Sequence, residues 1–402
     1  MSQTTKNKPT KQLMKVHHHI RAFEQVLASY DGKLPLHRHL VVYFKQNKQM
    51  GSSDRRWASR YIYSYFRLGK ALSDLPAIAR LAVADFLCNN DLSLITQHVF
   101  PTADQHITAS ITDKIAIVKA QYPNFQLKDV FPFSKELSEG VDQQEFLLSL
   151  FTQPDLFIRV KETHLPAIKA KLEEAGVPVK ELSDTTLALP NGTKLEQIID
   201  DARLYQVQDF SSQKTGNYFK PKPYEYWWDC CAASGGKSLL IHSLEPKVKL
   251  LASDVRETSL GNLQERFQLA GIKDYQKKAI DLLQNNDQIL HHYEFDGILL
   301  DAPCSGAGTW GRTPEMLYFF EAYKVANYAK LQMAIAENVV KYLKPGKPLI
   351  YMTCSVFKEE NEDVVAHLLE NFPLKLESKK LIGGYHDKAD SMFVARLIKE
   401  QE

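Results

Sequence analysis

The chain has 402 residues, of which 44% are hydrophobic and 24% charged, a composition typical of a soluble globular protein with two or three domains. No run of eighteen apolar residues occurs and the start lacks an apolar segment, so we expect neither a membrane span nor a secretory signal. The five cysteines form no C-x-x-C pair and no zinc-ligand spacing. We therefore expect a cytoplasmic monomer that binds no metal.

The net charge of +2 conceals a basic amino-terminal region. Residues 1–70 contain fourteen Lys and Arg against three acidic residues, a net charge of +11, so the rest of the chain sums to −9. A basic end on a nearly neutral chain indicates a polyanionic partner, most simply nucleic acid. A solvated basic tail remains the alternative.

Residues 1–130 are predicted to form a helical domain, because apolar positions recur at helical spacing and Pro and Gly are sparse. A helix is expected to begin at Ser52-Ser53-Asp54, whose side chains can cap it. Trp57, Tyr61, Ser64/Tyr65 and Leu68 form its predicted core stripe. A second face interleaves cations with Tyr63, which is typical both of RNA-binding surfaces and of ordinary solvated helix faces. The cations of this candidate RNA-binding face are Arg56, Arg60, Arg67 and Lys70.

Residues 131–205 are predicted to form a small α+β module. Leu156 to Val160 is a candidate strand, His164 to Ala175 a candidate helix that ends at Gly176, and Asn191-Gly192 a turn. Short apolar stretches lie between these features. Such a segment is large enough for one sheet with a covering helix.

From residue 206 to 402, strands and helices alternate, which predicts an α/β domain with a mostly parallel, doubly wound sheet. The predicted helices are 257–270, 322–343 and 360–371. The predicted strands are 226–229, 249–253, 275–279, 296–300, 348–353 and 393–398. In such sheets, ligands bind at the carboxyl ends of the strands, near the point where the strand order reverses.

A small-residue loop follows the first of these strands, in the sequence Y-W-W-D-C-C-A-A-S-G-G-K-S at 226–238. Gly235 and Gly236 let the backbone approach a ligand, and the loop matches neither a dinucleotide fingerprint nor a Walker motif. Asp254 and Asp281 end the next two strands. One strand-end Asp is as readily a helix cap as a ligand, but three at successive strand ends, Asp229, Asp254 and Asp281, beside a glycine loop favour a nucleoside.

Two cysteines occupy matching positions at later strand ends. Cys304 and Asp301 follow the fourth strand, and Cys354 follows the fifth, just before a helix. A single cysteine in such a place is more often buried filler. If these strands are neighbours, however, both thiols and Asp301 lie at the edge of one pocket, where a thiolate can act as a nucleophile.

Four motifs occur in order: V-Q-D-F-S-S-Q at 207–213, D-C-C-A-A-S-G-G-K at 229–237, D-A-P-C-S-G at 301–306, and T-C-S with E-N-E at 353–355 and 360–362. They resemble the Sun/Nop2 (RsmB-like) family of S-adenosylmethionine-dependent RNA cytosine-5 methyltransferases. Upstream, G-S-S-D-R-R-W is similar to the NusB-like helical domain of bacterial ribosomal RNA enzymes. L-F-I-R-V opens a segment similar to their RRM-like module.

The resemblance implies a Rossmann-like methyltransferase domain over residues 206–402, preceded by an RRM-like module and a NusB-like RNA-binding domain. It implies that Cys354 attacks carbon 6 of cytosine, that Cys304 assists release of the adduct, and that Asp301 contacts ring nitrogen 3. Lys237 stands where the family keeps a lysine near the cofactor and the active site. The residues expected to bind S-adenosylmethionine are Cys231, Ala232, Ala233, Ser234, Gly235, Gly236, Lys237, Asp254, Asp281 and Asp301.

Some positions depart from the family pattern. Ser234 replaces the usual proline of the glycine loop, and Ser259 stands where many relatives carry arginine after the ribose-binding acid. The predicted function is methylation of a cytosine in RNA, with ribosomal RNA as the expected partner. A transfer RNA target and a non-catalytic RNA-binding assembly factor with the same fold are the alternatives. An amino-group methyltransferase is disfavoured, because D-A-P-C stands where that class has N/D-P-P-Y/F.

Overall fold

The computed structural model describes residues 11–133 and 137–401, so the first ten residues of the predicted helical domain, residues 134–136 of the predicted module and residue 402 lie outside the described residues. The described residues form two compact units. A helical unit contains those within Met1–Ser134, Gln143–Gln153 and Trp310–Phe320. An α/β unit contains those within Lys135–Asp142, Pro154–Thr309 and Glu321–Glu402.

The helical unit is built from α-helices around an aromatic-rich core. Its core includes Phe23, Tyr61 and Phe66, all fully buried. Trp310–Phe320 falls within the predicted methyltransferase range, yet the structure assigns it to this unit. The helices are α1 (Lys11–Ser29), α2 (Leu36–Gln46), α3 (Ser52–Arg67), α4 (Ala77–Cys88), α5 (Leu94–Val99), α6 (Ile111–Gln121), α7 (Gln143–Ser149) and α13 (Pro314–Phe319).

Helix α3 begins where the sequence predicts. The Asp54 side chain accepts a hydrogen bond from the backbone N–H of Gly51, the residue before the helix, at 3.2 Å. Tyr61, Tyr65 and Leu68 of the predicted core stripe are buried, whereas Trp57 is half-buried. The helical spacing of apolar residues therefore identified the buried face correctly.

A four-stranded antiparallel sheet, with helix α8 (Leu165–Glu174), opens the α/β unit after Pro154. Its strands are β1 (Leu156–Val160), β2 (Lys180–Ser183), β3 (Thr186–Leu189) and β4 (Tyr205–Val207), in the order β2-β3-β1-β4. Ile158 and Leu187 from the sheet pack with Ile168 and Leu172 from the helix in one apolar cluster. The sheet and the helix that packs on it form a small α+β module, as the sequence predicts for this segment.

A second, seven-stranded sheet forms the rest of the unit, in the order β10-β11-β9-β8-β5-β6-β7. Its strands are β5 (Tyr226–Asp229), β6 (Lys249–Asp254), β7 (Gln276–Ala279), β8 (Gly297–Asp301), β9 (Pro348–Thr353), β10 (Leu374–Ile382) and β11 (Met392–Lys399). Strands β5 to β9 are parallel, and β11 runs antiparallel to both β9 and β10. The helices are α9 (Phe210–Lys214), α10 (Gly236–Leu244), α11 (Glu257–Leu269), α12 (Asp287–Leu290), α14 (Tyr323–Val340) and α15 (Glu362–Asn371).

The predicted Rossmann-like α/β fold is confirmed. Trp227 and Trp228, adjacent on β5 and fully buried, belong to two different apolar clusters, because successive strand side chains point to opposite faces of a sheet covered on both sides. The strand order reverses between β5 and β8. A ligand site is therefore expected where the carboxyl ends of these two strands meet.

The six predicted strands of this sheet are all present, whereas β10 was not predicted. Its sequence, L-K-L-E-S-K-K-L-I, carries three lysines and alternates exposed and partly buried positions, as an edge strand does. Among residues 11–133 and 137–401, no helix is long and apolar enough to cross a membrane.

The tight packing of Trp227 against the neighbouring strand gives a testable prediction. A Cβ atom on Gly297 would lie 2.5 Å from the Trp227 ring, so Gly297→Ala should destabilise the fold by about 1–3 kcal/mol. Gly261, within α11, has nothing within 4 Å of such a Cβ, so Gly261→Ala should be neutral or stabilise by about 0.5–1 kcal/mol. Chemical denaturation of both variants measures this difference, and equal midpoints would contradict the packing argument.

Candidate active site

The glycine loop connects β5 to α10 at the point where the strand order reverses. Two of its residues have positive φ angles, +45° at Ala233 and +83° at Gly235. A Cβ atom on Gly235 would lie 2.9 Å from Leu263, so this position combines a left-handed backbone with close packing. Gly235 directly precedes α10 and packs against Leu263 and Phe267 of α11.

Asp254, at the end of β6, fastens this loop. Its Oδ2 accepts a hydrogen bond from the backbone N–H of Ala233 at 2.9 Å, and its Oδ1 accepts one from the N–H of Arg256 at 2.9 Å. The N–H of Ala232 donates to the carbonyl of Ser253 at 2.8 Å. The predicted cofactor residues of the loop and of β6 are therefore joined by direct hydrogen bonds.

Lys237 lies in the first turn of α10 and is almost completely buried. Its Nζ donates to Asp301 Oδ2 at 3.0 Å and to Ser212 Oγ at 2.9 Å. This ion pair joins the end of β8 to the glycine loop. It also fixes the position of the Asp301 carboxylate, which belongs to the same D-A-P-C-S-G motif as Cys304.

The Cys304 and Cys354 sulfur atoms lie 3.4 Å apart, because β8 and β9 are adjacent parallel strands. The hydrogen bond to Cys354, burial, and the negative charges of Cys354 and Glu360 raise the pKa of Cys304 well above its usual value. Two thiolates this close would repel each other, so the pair carries at most one negative charge near neutral pH. The raised pKa keeps the Cys304 thiol protonated at neutral pH.

Glu360, fully buried after β9, connects the two cysteine loops. Its carboxylate accepts hydrogen bonds from the Ser305 N–H at 2.7 Å and the Ser305 hydroxyl at 2.5 Å, and from the hydroxyl of Ser355. Gln332 donates to it at 3.1 Å. Ser305 and Ser355 each directly follow one of the two cysteines. This one carboxylate therefore holds the two cysteine segments in place relative to each other.

Asp229, at the end of β5, is fully buried. Its Oδ2 accepts from the Ser238 hydroxyl at 2.6 Å, whereas its Oδ1 has no hydrogen-bond partner among the described residues. Burial, partly offset by Ser238, raises the pKa of Asp229 to about 7, and the nearby charges of Asp301 and Asp254 add to the effect. A buried, under-satisfied carboxyl group of this kind favours a ligand that carries positive charge or a hydrogen-bond donor.

The predicted site residues separate into those that lie together and those that do not. The glycine loop, Asp254, Lys237, Asp301 and the two cysteines are linked by the contacts above. Asp281 is exposed; its carboxylate accepts from the N–H of Leu283 at 3.0 Å, in the turn after the edge strand β7. Its role in cofactor binding stays a prediction.

The cations of the candidate RNA-binding face of α3 also differ in whether a ligand can reach them. Arg67 is buried, and its guanidinium donates to the carbonyls of Leu150 and Thr152 within the helical unit. Arg60 pairs with Asp85 at 2.7 Å and Asp91 at 2.6 Å. Arg67 is thus unavailable to a ligand. An RNA contact from this face stays a prediction that depends on the exposed Arg56 and Lys70.

Several residues of the site were not singled out from the sequence. Ser212 and Glu360 contribute through hydrogen bonds to residues distant in sequence, and Ser238 through a hydrogen bond to Asp229. Glu360 belongs to the E-N-E motif, which was a usable signal, although the motif alone did not reveal its function. Ser212 belongs to the V-Q-D-F-S-S-Q motif.

The family model described as 16S rRNA methyltransferase RsmB/F matches residues 217–398. The chain carries a methyltransferase domain of the RsmB/F family. This result confirms the resemblance to Sun/Nop2 (RsmB-like) proteins. The RsmB/F domain contains the glycine loop, Lys237, Asp301, both thiols and Glu360.

Curated relatives support the same family. The chain is 32% identical over 267 residues to the ribosomal RNA small subunit methyltransferase B of Salmonella newport and to that of Salmonella heidelberg. Each match covers 62% of this chain and 60% of the relative, so the chain spans somewhat less than two thirds of the relatives' length.

Solved structures share the fold. The protein PH0851 matches with a TM-score of 0.70 at 22% identity, over 98% of this chain and 99% of that protein. NSun6 from Pyrococcus horikoshii, solved with SFG, matches with a TM-score of 0.59 at 18% identity, over 67% of this chain and 97% of that protein. At these identities, the likeness shows the fold of the RsmB/F domain and its preceding segments.

The raised pKa of Asp229 predicts a pH effect on stability. Because the folded carboxyl group titrates near 7 and an unfolded aspartate near about 4, the folded chain binds the extra proton between these values. This contribution is present at acid pH and is lost as the pH rises through 7. Relative to Asp229→Asn, the unmodified protein should therefore lose about 2 kcal/mol between about pH 5.5 and about pH 8.5.

Unfolding free energies at the two pH values measure this loss. Asp281→Asn is the matched control, because Asp281 is an exposed strand-end aspartate of the same sheet. A parallel pH dependence of Asp229→Asn and the unmodified protein would show that Asp229 does not titrate near 7.

Proposed function

We propose that the chain transfers a methyl group from S-adenosylmethionine to carbon 5 of a cytosine in RNA, through a covalent Cys354–cytosine adduct. The observation that carries the proposal is the pair of thiols 3.4 Å apart at adjacent strand ends. The Asp301–Lys237 ion pair lies at the end of β8, the strand that Cys304 follows. The match to the RsmB/F family and the names of the curated relatives favour ribosomal RNA of the small subunit as the substrate.

The residues at the strand-order reversal fit the proposed cofactor. Asp254 would hold the ribose hydroxyls, and residues 231–237 would line the methionine moiety. The carboxyl groups of Asp229, Asp254 and Asp301 outnumber the cations paired with them, Lys237 and Arg256, which suits a positively charged ligand. When bound, S-adenosylmethionine supplies an electrophilic methyl group on a cationic sulfur.

Cys354 starts the reaction as the nucleophile. Its thiolate forms a bond to carbon 6, and the electron pair of the carbon 5–carbon 6 double bond moves to carbon 5, which becomes nucleophilic. Negative charge that develops at ring nitrogen 3 would be stabilised by the Asp301–Lys237 pair, in which the Lys237 ammonium can donate a hydrogen bond. Cytosine in a paired region must first leave its stack to reach the thiols.

Cys304 completes the reaction as the base. Before the adduct forms, Cys304 keeps its proton, since the hydrogen bond to Cys354 and its charge raise the pKa of Cys304. Once Cys354 is bonded to carbon 6, that charge is gone, so Cys304 releases its own proton to solvent more readily, and the resulting thiolate can accept the carbon 5 proton. The electron pair of the broken C–H bond restores the double bond and expels the Cys354 thiolate.

Bisulfite sequencing of total RNA tests the function directly. In cells that lack the protein, at least one cytosine-5 mark should disappear, and restoring the chain should bring it back. A mark lost from small-subunit ribosomal RNA would support the proposed substrate, whereas one lost from transfer RNA would reassign it. If every mark persisted, the chain would instead be a non-catalytic RNA-binding factor.

Single cysteine variants test the two roles. Cys354→Ala should abolish methyl transfer, by at least about 1,000-fold, because no covalent activation of carbon 5 remains. Cys304→Ala should also lose turnover but accumulate a covalent protein–RNA adduct, visible as a shifted band on a denaturing gel. Cys88→Ala, in α4 of the helical unit, is the control and should leave both readouts unchanged. Absence of the adduct from both Cys304→Ala and the unmodified protein would overturn the role of Cys304.

A further inference from the structure

Two arginines of the α/β unit bind only neutral acceptors. Arg159, on β1, donates to the side chains of Gln208 and Ser243. Arg266, on α11, donates to the carbonyl and hydroxyl oxygens of Ser234, both at 3.2 Å, and to Gln206 and the carbonyl of Val207 at 3.4 and 3.5 Å. Among the described residues, neither guanidinium has a carboxylate within ion-pair distance.

Other arginines of the same unit are paired with acids. Arg203 contacts Asp201 at 2.7 Å, Arg256 contacts Asp254 at 3.2 Å, and Arg396 contacts Glu377 at 2.7 Å. Arg159 and Arg266 are each partly buried, where an uncompensated charge costs more than it does at the surface. Arg159 and Arg266 therefore differ from the other arginines of the α/β unit in having no acidic partner in the part of the chain that the structure describes.

Strand pairing brings the two arginines to one place. Arg159 lies opposite Gln206 in the β1–β4 register, and the Gln206 side chain accepts from Arg266. Burial is the main cause that lowers the pKa of Arg159 to about 10, and the charge of Arg266 adds to it. A further cation, Lys161, follows β1 and is exposed, and its charge adds to burial in lowering the pKa of His242 on α10.

The arrangement leaves donors free for an anion. Nη2 of Arg159 has no acceptor among the described residues and is not sealed off from solvent. Gln208 and Ser243 hold the other two nitrogens, so the guanidinium plane is fixed before any ligand arrives. A fixed guanidinium with a free Nη2 beside further cations matches a phosphate group, whose oxygen atoms accept charge-assisted hydrogen bonds from arginine.

We propose that Arg159, Arg266 and Lys161 form a subsite for a backbone phosphate of the RNA substrate. The inference rests on the proposed RNA methyltransferase function and adds a binding site to it. Because Arg266 also holds Ser234, the subsite lies directly beside the glycine loop. The phosphate would supply the counterion that both arginines lack and would position the RNA on the small antiparallel sheet.

Equilibrium binding of an RNA oligonucleotide across a series of salt concentrations tests the subsite. Arg159→Gln should weaken binding at low salt by about 3- to 10-fold and reduce the slope of log K against log salt by about 0.7–1, the value for one lost phosphate contact. Arg203→Gln is the matched control, an arginine of the same small module that is already paired with an acid. It should leave the affinity and the slope unchanged.

Two further variants separate charge from structure. Arg159→Lys keeps the cation and should retain most of the slope, and Lys161→Gln, at an exposed position, should lower the slope even if Arg159→Gln folds poorly. In the same preparations, the affinity for S-adenosylmethionine should stay unchanged on Arg159→Gln. Weaker cofactor binding with unchanged RNA binding would assign Arg159 to the carboxylate of the cofactor and overturn the proposal.

The outcome is independent of the chemistry proposed above. Equal slopes for the unmodified protein, Arg159→Gln and Lys161→Gln would overturn the phosphate subsite even if cytosine methylation were demonstrated. Conversely, loss of slope in both variants would support the subsite even if no cytosine were methylated, and in that case only the proposed reaction would fail.

Discussion

The hydrogen bonds of the Glu360 carboxylate are the interaction on which the thiol pair depends. Burying this carboxylate is unfavourable and raises the pKa of Glu360, but Ser305, Ser355 and Gln332 satisfy its oxygens. The backbone supports the same contact, since the N–H of Gly308 donates to the carbonyl of Cys354 at 2.8 Å. Pairing of β8 with β9 brings the two loops close together, and these bonds then hold the two sulfur atoms in contact.

Electrostatics then differentiate groups that are chemically alike. Cys304 and Cys354 are both thiols, and the hydrogen bond to Cys354 raises the pKa of Cys304, so the Cys304 thiol stays protonated at neutral pH. Asp229 and Asp301 are both strand-end carboxyl groups, yet Asp229 is buried with one oxygen that has no hydrogen-bond partner among the described residues, while Asp301 is paired with Lys237. Position along the strand and the nearest charge, rather than residue type, determine what each group can do.

The sequence predicted the sheet and the cluster of motif residues well, because strand periodicity and strand-end residues are local signals. It did not predict β10, whose alternating polar pattern is weak, nor that Trp310–Phe320 belongs to the helical unit. It also could not show that Arg67 is buried, since its partners at Leu150 and Thr152 lie more than eighty residues away. Contacts between distant segments carry no periodic signal, so the hydrogen-bond partners of the site needed the structure.

Ser234 illustrates how a departure from a family pattern acquires a physical explanation. Proline would restrict the loop through its ring, whereas serine at this position accepts hydrogen bonds from Arg266 through both its carbonyl and its hydroxyl. Arg266 also donates to Gln206 and Val207, so the restraint on the loop now comes from a residue that contacts the small sheet as well. The glycine loop and the small sheet are therefore mechanically coupled through one guanidinium, and an anion bound there would act on both.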